Sequence, residues 1–236
     1  MNTLKAKLIG WTELAPEVRH FEFEVPGTDH FAFTPGQFIS VVEREHGKEI
    51  IRAYSIASPR DGNRFALCLN RVSEGIVSTY LFSLQPGDEI EMGEPLGYFT
   101  VRHPGRRLVF VATGTGIAPF RSMLLDHLPK IQPHITLLFG VRHENALLYR
   151  EDLEELAREY PTFRFLPTVT RPTERWAGRT GRVQVHLDEA LALHEPDEIS
   201  NVDVYICGMP EMVDDVRKQL KQRGFDRKQI IYEKYE

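Results

Sequence analysis

Cysteine is scarce in this chain: two residues, Cys68 and Cys207, stand far apart among 236. There is no closely spaced set of the kind that holds an iron–sulfur cluster or a structural zinc, so no metal site is expected. No apolar run approaches the ~20 residues that cross a bilayer, so no membrane span is expected. Positive charge is not in excess. Lys and Arg number 29 against 34 Asp and Glu, a formal net charge of −5, which argues against a nucleic-acid partner. The opening stretch MNTLKAKLIGWTEL lacks the apolar core and small-residue cleavage pattern of a secretory signal, and a cytoplasmic protein is expected. Fixed-period repeats and low-complexity tracts are also missing.

What is present falls into two halves with different rhythms. Up to about residue 103, six short runs rich in β-branched and aromatic residues are divided by turn signals: Pro26-Gly27, Pro35-Gly36, Asp61-Gly62 and Pro86-Gly87-Asp88. Such spacing predicts a small antiparallel β-barrel, with one helical segment over Ile76–Leu84. After His103-Pro104-Gly105, apolar runs at 107–112, 135–140, 163–169, 202–207 and 229–232 alternate with helical patterns at 119–128, 145–160, 181–193 and 210–224. Alternation of this kind predicts an α/β domain whose five-stranded parallel sheet is covered on both faces. The expected domains are therefore 1–103 and 104–236.

Four stretches carry chemistry. Val109–Phe120, VFVATGTGIAPF, runs from a buried strand into a helix whose first turn holds Pro119. Gly114 and Gly116 let backbone N–H groups approach a ligand, and the helix start offers free donors and partial positive charge, which together make a phosphate cradle. Tyr205–Pro210, with Cys207, Gly208 and Met209, is a second strand end leading into a helix. In an open α/β sheet both would face one crevice at the carboxyl ends of the strands. Thr168–Arg171, which includes Thr170, also ends a strand and is followed by Arg175, Arg179 and Arg182. An arginine at that place accommodates a ribose 2′-phosphate, where an acidic residue would grip the hydroxyl.

The fourth stretch, Arg52–Ser55, lies in the barrel half. Arg52 and Tyr54 project to one side of a strand; the guanidinium suits a pyrophosphate, the ring suits a flat cofactor, and Ser55 can bond its edge. Gly75-Ile76-Val77-Ser78 adds a helix start for a second phosphate contact. Taken singly, each stretch also reads as ordinary structure: a tight strand–helix turn, a packed cysteine, solvated arginines, a barrel strand.

In combination, Arg52-Ala-Tyr-Ser55, Gly75-x-x-Ser78, Gly114-Thr-Gly-Ile-Ala-Pro119, Gly140-Val-Arg142, Cys207-Gly208 and the ending Tyr232-Glu-Lys-Tyr-Glu236 resemble the ferredoxin–NADP⁺ reductase family along nearly the whole chain. The resemblance implies FAD as bound cofactor and NADP(H) as substrate, with NAD(H) an open alternative. It places Arg52, Ala53, Tyr54 and Ser55 on the flavin, Cys68, Leu69 and Asn70 in the strand lining it, and Ile76, Val77 and Ser78 at its pyrophosphate. Thr115 would contact the nucleotide, Cys207 would lie beside the nicotinamide, and Arg171 and Arg182 would hold the 2′-phosphate. Ser55, Cys207, Glu233 and Tyr235 are the implied catalytic group, with Glu233 assisting proton movement and Tyr235 stacking where nicotinamide must reach. The implied activity is electron transfer between NADP(H) and a separate ferredoxin, flavodoxin or other one-electron carrier, by a monomer. The alternatives are a reductase that takes free flavin as substrate, or the reductase component of an oxygenase. The ending departs from the plant-type pattern by one further residue, Glu236.

Overall fold

The computed structural model describes residues 3–131, 134–192 and 196–235. Six antiparallel strands come first: β1 (Thr3–Ala15), β2 (Val18–Glu24), β3 (Phe38–Glu45), β4 (Lys48–Ser55), β5 (Arg64–Asn70) and β6 (Glu89–Gly93), with helix α1 (Ile76–Ser83) between the last two. Their order in the sheet is β4-β3-β6-β1-β2-β5. The edges meet just past β4, where Ile56 bridges Leu67 and the Ala57 N–H donates to the Ala66 carbonyl at 2.8 Å. Closure removes the exposed edges, as expected of a barrel. The β3–β4 hairpin turns on His46 and Gly47, both at positive φ (49° and 77°), the geometry that matches strand twist in a two-residue loop. Alternate residues of β2 point inward, so Phe21 and Phe23 join Phe31 and Phe65 in the core, with ring centroids 5.4 Å apart for Phe23–Phe65 and 5.1 Å for Phe31–Phe65.

The later strands are β7 (Arg107–Thr113), β8 (Ile135–Val141), β9 (Phe163–Val169), β10 (Arg179–Thr180), β11 (Val202–Gly208) and β12 (Ile230–Lys234), with helices α2 (Ala118–Ile131), α3 (Arg150–Glu159), α4 (Leu187–Leu191) and α5 (Pro210–Gln222). Pairing is parallel throughout, in the order β10-β9-β8-β7-β11-β12. Every residue of β8 and β11 is buried, because helices cover both faces and the strands are apolar on both.

Three expectations need correction. The parallel sheet has six strands, not five. The extra one, β10, is two residues long and is tied to β9 by the Gly181 N–H on the Val169 carbonyl (3.0 Å) and by Thr168 Oγ1 donating to the Gly181 carbonyl (2.8 Å). The helix expected from residue 145 begins at Arg150, because Tyr149 takes a left-handed φ of 56° that a helix cannot continue through. The segment expected as one helix over 181–193 is a 3-10 turn, Val183–His186, and then the short α4; Leu193 lies outside the described residues.

α5 ends as its sequence indicates. Gly224 adopts φ 92°, and the Phe225 N–H donates to Leu220 and the Gly224 N–H to Lys221, each at 3.1 Å, the paired bonds of a Schellman stop. The chain forms two compact units, residues 1–100 with 118–126 and residues 101–117 with 127–236. In the first, buried Asp126 on α2 receives both Arg60 Nε (3.0 Å) and Nη2 (2.9 Å), and Arg121 Nη1 donates to the Ala57 carbonyl at 3.0 Å. In the second, fully buried Asp203 is bound by His103 Nδ1 at 2.7 Å and Arg106 Nη1 at 2.9 Å. Among the described residues no helix is long and apolar enough to cross a membrane.

Candidate functional site

In the first unit, the predicted flavin residues lie at the end of β4 and the start of α1, which packs beside β3 and β4. Tyr54 and Ser55 pair with Ile39 and Phe38. Ser55 is buried. Tyr54 is half-buried against the barrel core, and that burial, opposed by the nearby Arg52 charge, pushes its phenol up to about 12. Arg52 and Ala53 are exposed. Arg52 Nη1 donates to the Ile51 carbonyl at 2.9 Å, and among the described residues no carboxylate pairs with it. Cys68 and Leu69 are buried in β5 and Asn70 is exposed at its end.

The start of α1 has no side-chain cap at Gly75, so its first N–H groups remain open to an anion. A Cβ at Gly75 would stand 2.6 Å from Ser78 Oγ and 2.9 Å from Val72 Cβ. The Ser78 hydroxyl accepts from the Val72 N–H at 3.1 Å and donates to the Gly75 carbonyl at 3.2 Å. Ser78 therefore shapes the loop that presents the helix start. Ile76 is half-buried and Val77 lies in the core. A guanidinium without a carboxylate partner, an uncapped helix start and a half-buried aromatic ring fit a flavin dinucleotide.

In the second unit, the chain leaves β7 toward β8 on one side and returns to β11 on the other. Their carboxyl ends are thus the switch point where an open α/β sheet takes its ligand. β7 ends at Thr113, a 3-10 turn follows over Gly114–Ile117, and α2 starts at Ala118 with Pro119 buried in its first turn. Gly114 is exposed at φ 55° and Thr115 is half-buried. Gly116 is fixed by contact: a Cβ there would be 2.4 Å from the Cys207 carbonyl oxygen and 2.7 Å from its carbon. At Gly208, φ is 150° and a Cβ would stand 2.3 Å from Thr113 Oγ1. The two glycine motifs are therefore packed backbone to backbone. Thr113 Oγ1, buried beside them, has no hydrogen-bond partner among the described residues, an unmet polar demand of a kind that concentrates at functional sites.

Cys207 is fully buried and pairs in register with Glu233 of β12. Burial, reinforced by the Glu233 charge, pushes its thiol well above the ordinary value, while a hydrogen bond with the Tyr235 side chain acts the other way. The Tyr235 main-chain N–H donates to the Gly208 carbonyl at 2.9 Å, so the last described residue is tied to the strand end it flanks. Nearby, Arg217 lies 3.7 Å above the Tyr232 ring and Lys234 Nζ bonds Asp214 at 2.8 Å. Cys207, Gly208, Glu233 and Tyr235 are thus brought together; Met209 is exposed just before α5, and Glu236 lies outside the described residues.

The arginines separate into two groups. Arg179 is paired with Glu189. Arg171, Arg175 and Arg182 are exposed, and among the described residues none has a carboxylate partner. Thr170 bonds the Val141 carbonyl through its N–H at 3.0 Å, and the Arg171 N–H donates to the Arg142 carbonyl at 2.8 Å. Sequence reasoning passed over Glu144 and Thr173, which anchor this loop. Gly140, already part of the motif series, is held by packing: a Cβ there would stand 2.6 Å from Val183 Cγ1.

Two family models match: an oxidoreductase FAD-binding domain over residues 5–101 and an oxidoreductase NAD-binding domain over residues 110–218. The chain is 40% identical over 240 residues to ferredoxin–NADP reductase B of Sorangium cellulosum, covering 98% of this chain and 97% of that protein. It is 30% identical to the toluate 1,2-dioxygenase electron transfer component of Pseudomonas putida over 88% of this chain, but spans 60% of that protein. Its structure is similar to the crystal structure of a ferredoxin NADP⁺ reductase from Neisseria gonorrhoeae with bound FAD and NADP, with a TM-score of 0.86, 26% identity and 99% coverage of both chains.

Proposed function

Because the chain belongs to the ferredoxin–NADP⁺ reductase family, we propose that it exchanges hydride with NADP(H) and single electrons with a separate ferredoxin or flavodoxin-like carrier. It is an oxidoreductase with FAD-binding and NAD-binding domains. When bound, FAD supplies a ring that takes two electrons as hydride and passes them on one at a time.

The residues act by position and charge. Arg52 and the open start of α1 bind the flavin's phosphates, and Tyr54 and Ser55 meet its ring. The Gly114–Ile117 turn and the start of α2 direct N–H groups at the nicotinamide nucleotide's phosphates, where water is displaced and the helix field favours negative charge. Arg171 and Arg182 hold the 2′-phosphate, with no carboxylate paired to them among the described residues. Cys207 keeps its proton and presents a small neutral surface for the nicotinamide. Glu233 carries the negative charge next to it and is the residue able to hold or pass a proton. Tyr235, tied to Gly208 and to the thiol, controls access to that place. Positioning of this sort can account for large rate factors without acid–base chemistry, provided the reacting groups are held close to contact.

The observation that carries the reading is the packing of Gly116 on the Cys207–Gly208 strand end, the contact that a phosphate cradle beside a neutral thiol would need. The test is the visible spectrum of desalted protein followed by NADPH oxidation with and without a one-electron acceptor. About one FAD per chain and acceptor-dependent turnover support the proposal. A colourless protein that oxidises NADPH only when free flavin is added would replace it with the flavin-reductase reading.

A further inference from the structure

The loop carrying Arg171 is held by two kinds of tie. Before and at the arginine, main chain bonds main chain: Thr170 to Val141 at 3.0 Å and Arg171 to Arg142 at 2.8 Å, with His143 Nδ1 3.1 Å from the Arg171 carbonyl. Beyond it, the loop passes Pro172 and is caught by one carboxylate. Glu144 Oε1 accepts both the Thr173 N–H and the Thr173 hydroxyl, each at 2.7 Å. Thr173 in turn starts the next turn: its hydroxyl oxygen accepts from the Arg175 N–H at 3.3 Å and its carbonyl from the Trp176 N–H at 3.1 Å. Trp176 closes that turn through Nε1 on the Arg179 carbonyl at 2.8 Å.

The charges make the arrangement informative. Glu144 begins the 3-10 turn Glu144–Ala146 that follows β8, two residues after Arg142 and bonded to the loop that carries Arg171 and Arg175; these arginines are exposed and have no carboxylate partner among the described residues. A free carboxylate there would pair with a guanidinium and compete with any phosphate. Instead it takes two neutral donors. The Thr173 hydroxyl first, then the N–H groups of Glu144 itself and of Thr173, hold the carboxyl below its usual range, so it remains ionised and a strong acceptor.

We propose that Glu144 is a positioning residue for NADP(H) specificity, holding Thr173 so that Arg171 is fixed from both sides and left free to meet a 2′-phosphate. This rests on the reading of Arg171 given above. Without the Glu144 tie, the segment beyond Arg171 would have to be ordered by the ligand itself.

The test is calorimetric binding to the flavin-loaded protein of two probes that differ only in the 2′-phosphate, adenosine 2′,5′-bisphosphate and 5′-AMP. Glu144→Ala is expected to weaken the bisphosphate about five- to thirtyfold, the cost of ordering one backbone residue, and 5′-AMP less than about twofold. Glu144→Gln retains the acceptor oxygen and should recover to within about threefold of the parent. In turnover, the KM for NADPH should rise in Glu144→Ala without a matching fall in kcat. Unchanged bisphosphate binding, equal loss of both probes, or no recovery in Glu144→Gln would each overturn the proposal. Arg171→Ala separates the two levels. If it weakens the bisphosphate selectively while Glu144→Ala does not, only the positioning role falls; if it is unselective, the 2′-phosphate reading falls as well.

Discussion

Gly116→Ala is the sharpest perturbation of the proposed nucleotide cradle. The added methyl would stand 2.4 Å from the Cys207 carbonyl oxygen, 2.7 Å from its carbon and 3.0 Å from the Gly208 nitrogen. All three are backbone atoms of β11, which is hydrogen-bonded between β7 and β12, so no side chain can rotate away. Turn and strand must part by about 1 Å to reach ordinary contact. Overpacking of this kind costs about 1–3 kcal/mol, and a displacement of about 1 Å between binding and reacting groups can cost on the order of 10²-fold in rate. We expect Gly116→Ala to lose stability by that amount and to reduce kcat/KM for NADPH by about tenfold to a hundredfold. The assay pairs urea unfolding with stopped-flow reduction by NADPH. Two controls calibrate it: Gly10→Ala, which meets nothing within 4 Å, and Gly114→Ala, equally open but at φ 55°. Gly114→Ala should show only the backbone cost, about 1–2 kcal/mol. If Gly116→Ala matches Gly10→Ala in both assays, the turn and strand end are not in the contact described, and the cradle argument fails.

Arg171→Ala should lower kcat/KM for NADPH by about ten- to a hundredfold, the worth of a charge-assisted hydrogen bond, and spare NADH; equal losses with both coenzymes would refute the 2′-phosphate assignment. The raised Cys207 thiol should stay protonated at neutral pH, so a disulfide reagent at pH 8 should find no fast-reacting cysteine in the native protein. Because its folded value is raised, the stabilisation from keeping that proton is complete below the unfolded thiol value of 9.0 and declines as pH rises above it; a fast thiol at pH 8 would contradict this. Arg60→Ala leaves the buried Asp126 carboxylate, 1% exposed, without its bidentate partner. With Arg60 itself 43% exposed, the expected loss is about 3 kcal/mol, at the lower end for a broken buried pair. Arg44→Ala, on exposed ion pairs with Glu49 and Glu91, should leave the unfolding midpoint nearly unchanged in the same denaturation series.

Much of this molecule is legible in the chain because the signals are local. The alternation in VRHFEFE and the continuous apolar runs LVFVA and ITLLFG encode, respectively, a sheet packed on one face and a sheet packed on both. Gly224 after a base-rich last turn announces the end of α5. The features that escaped notice are those whose partners are remote or whose signal is short. β10 is two polar residues and has no period to detect. The break at Tyr149 is hidden because Leu147, Leu148 and Tyr149, all buried, fit a helical pattern as well as the turn they form. Asp126 and Asp203 look like surface acids until arginines 66 and 97 positions away are found bound to them.

The glycine loop shows where the division lies. That residues 109–120 make a strand, a tight turn and a helix start follows from the sequence alone, since glycine, proline and apolar spacing act over a few bonds. Which glycine is irreplaceable does not follow. Gly114 and Gly116 look equivalent in TGTG, yet one faces open space and the other lies against the carbonyl of a strand 91 residues further along the chain. The same holds for charge: the sequence supplies the arginines, but only the fold pairs Arg179 with Glu189, occupies Glu144 with Thr173 and leaves Arg171 and Arg182 without a carboxylate among the described residues. Steric exclusion and ion pairing depend on distance through space, and that is set when the sheet assembles.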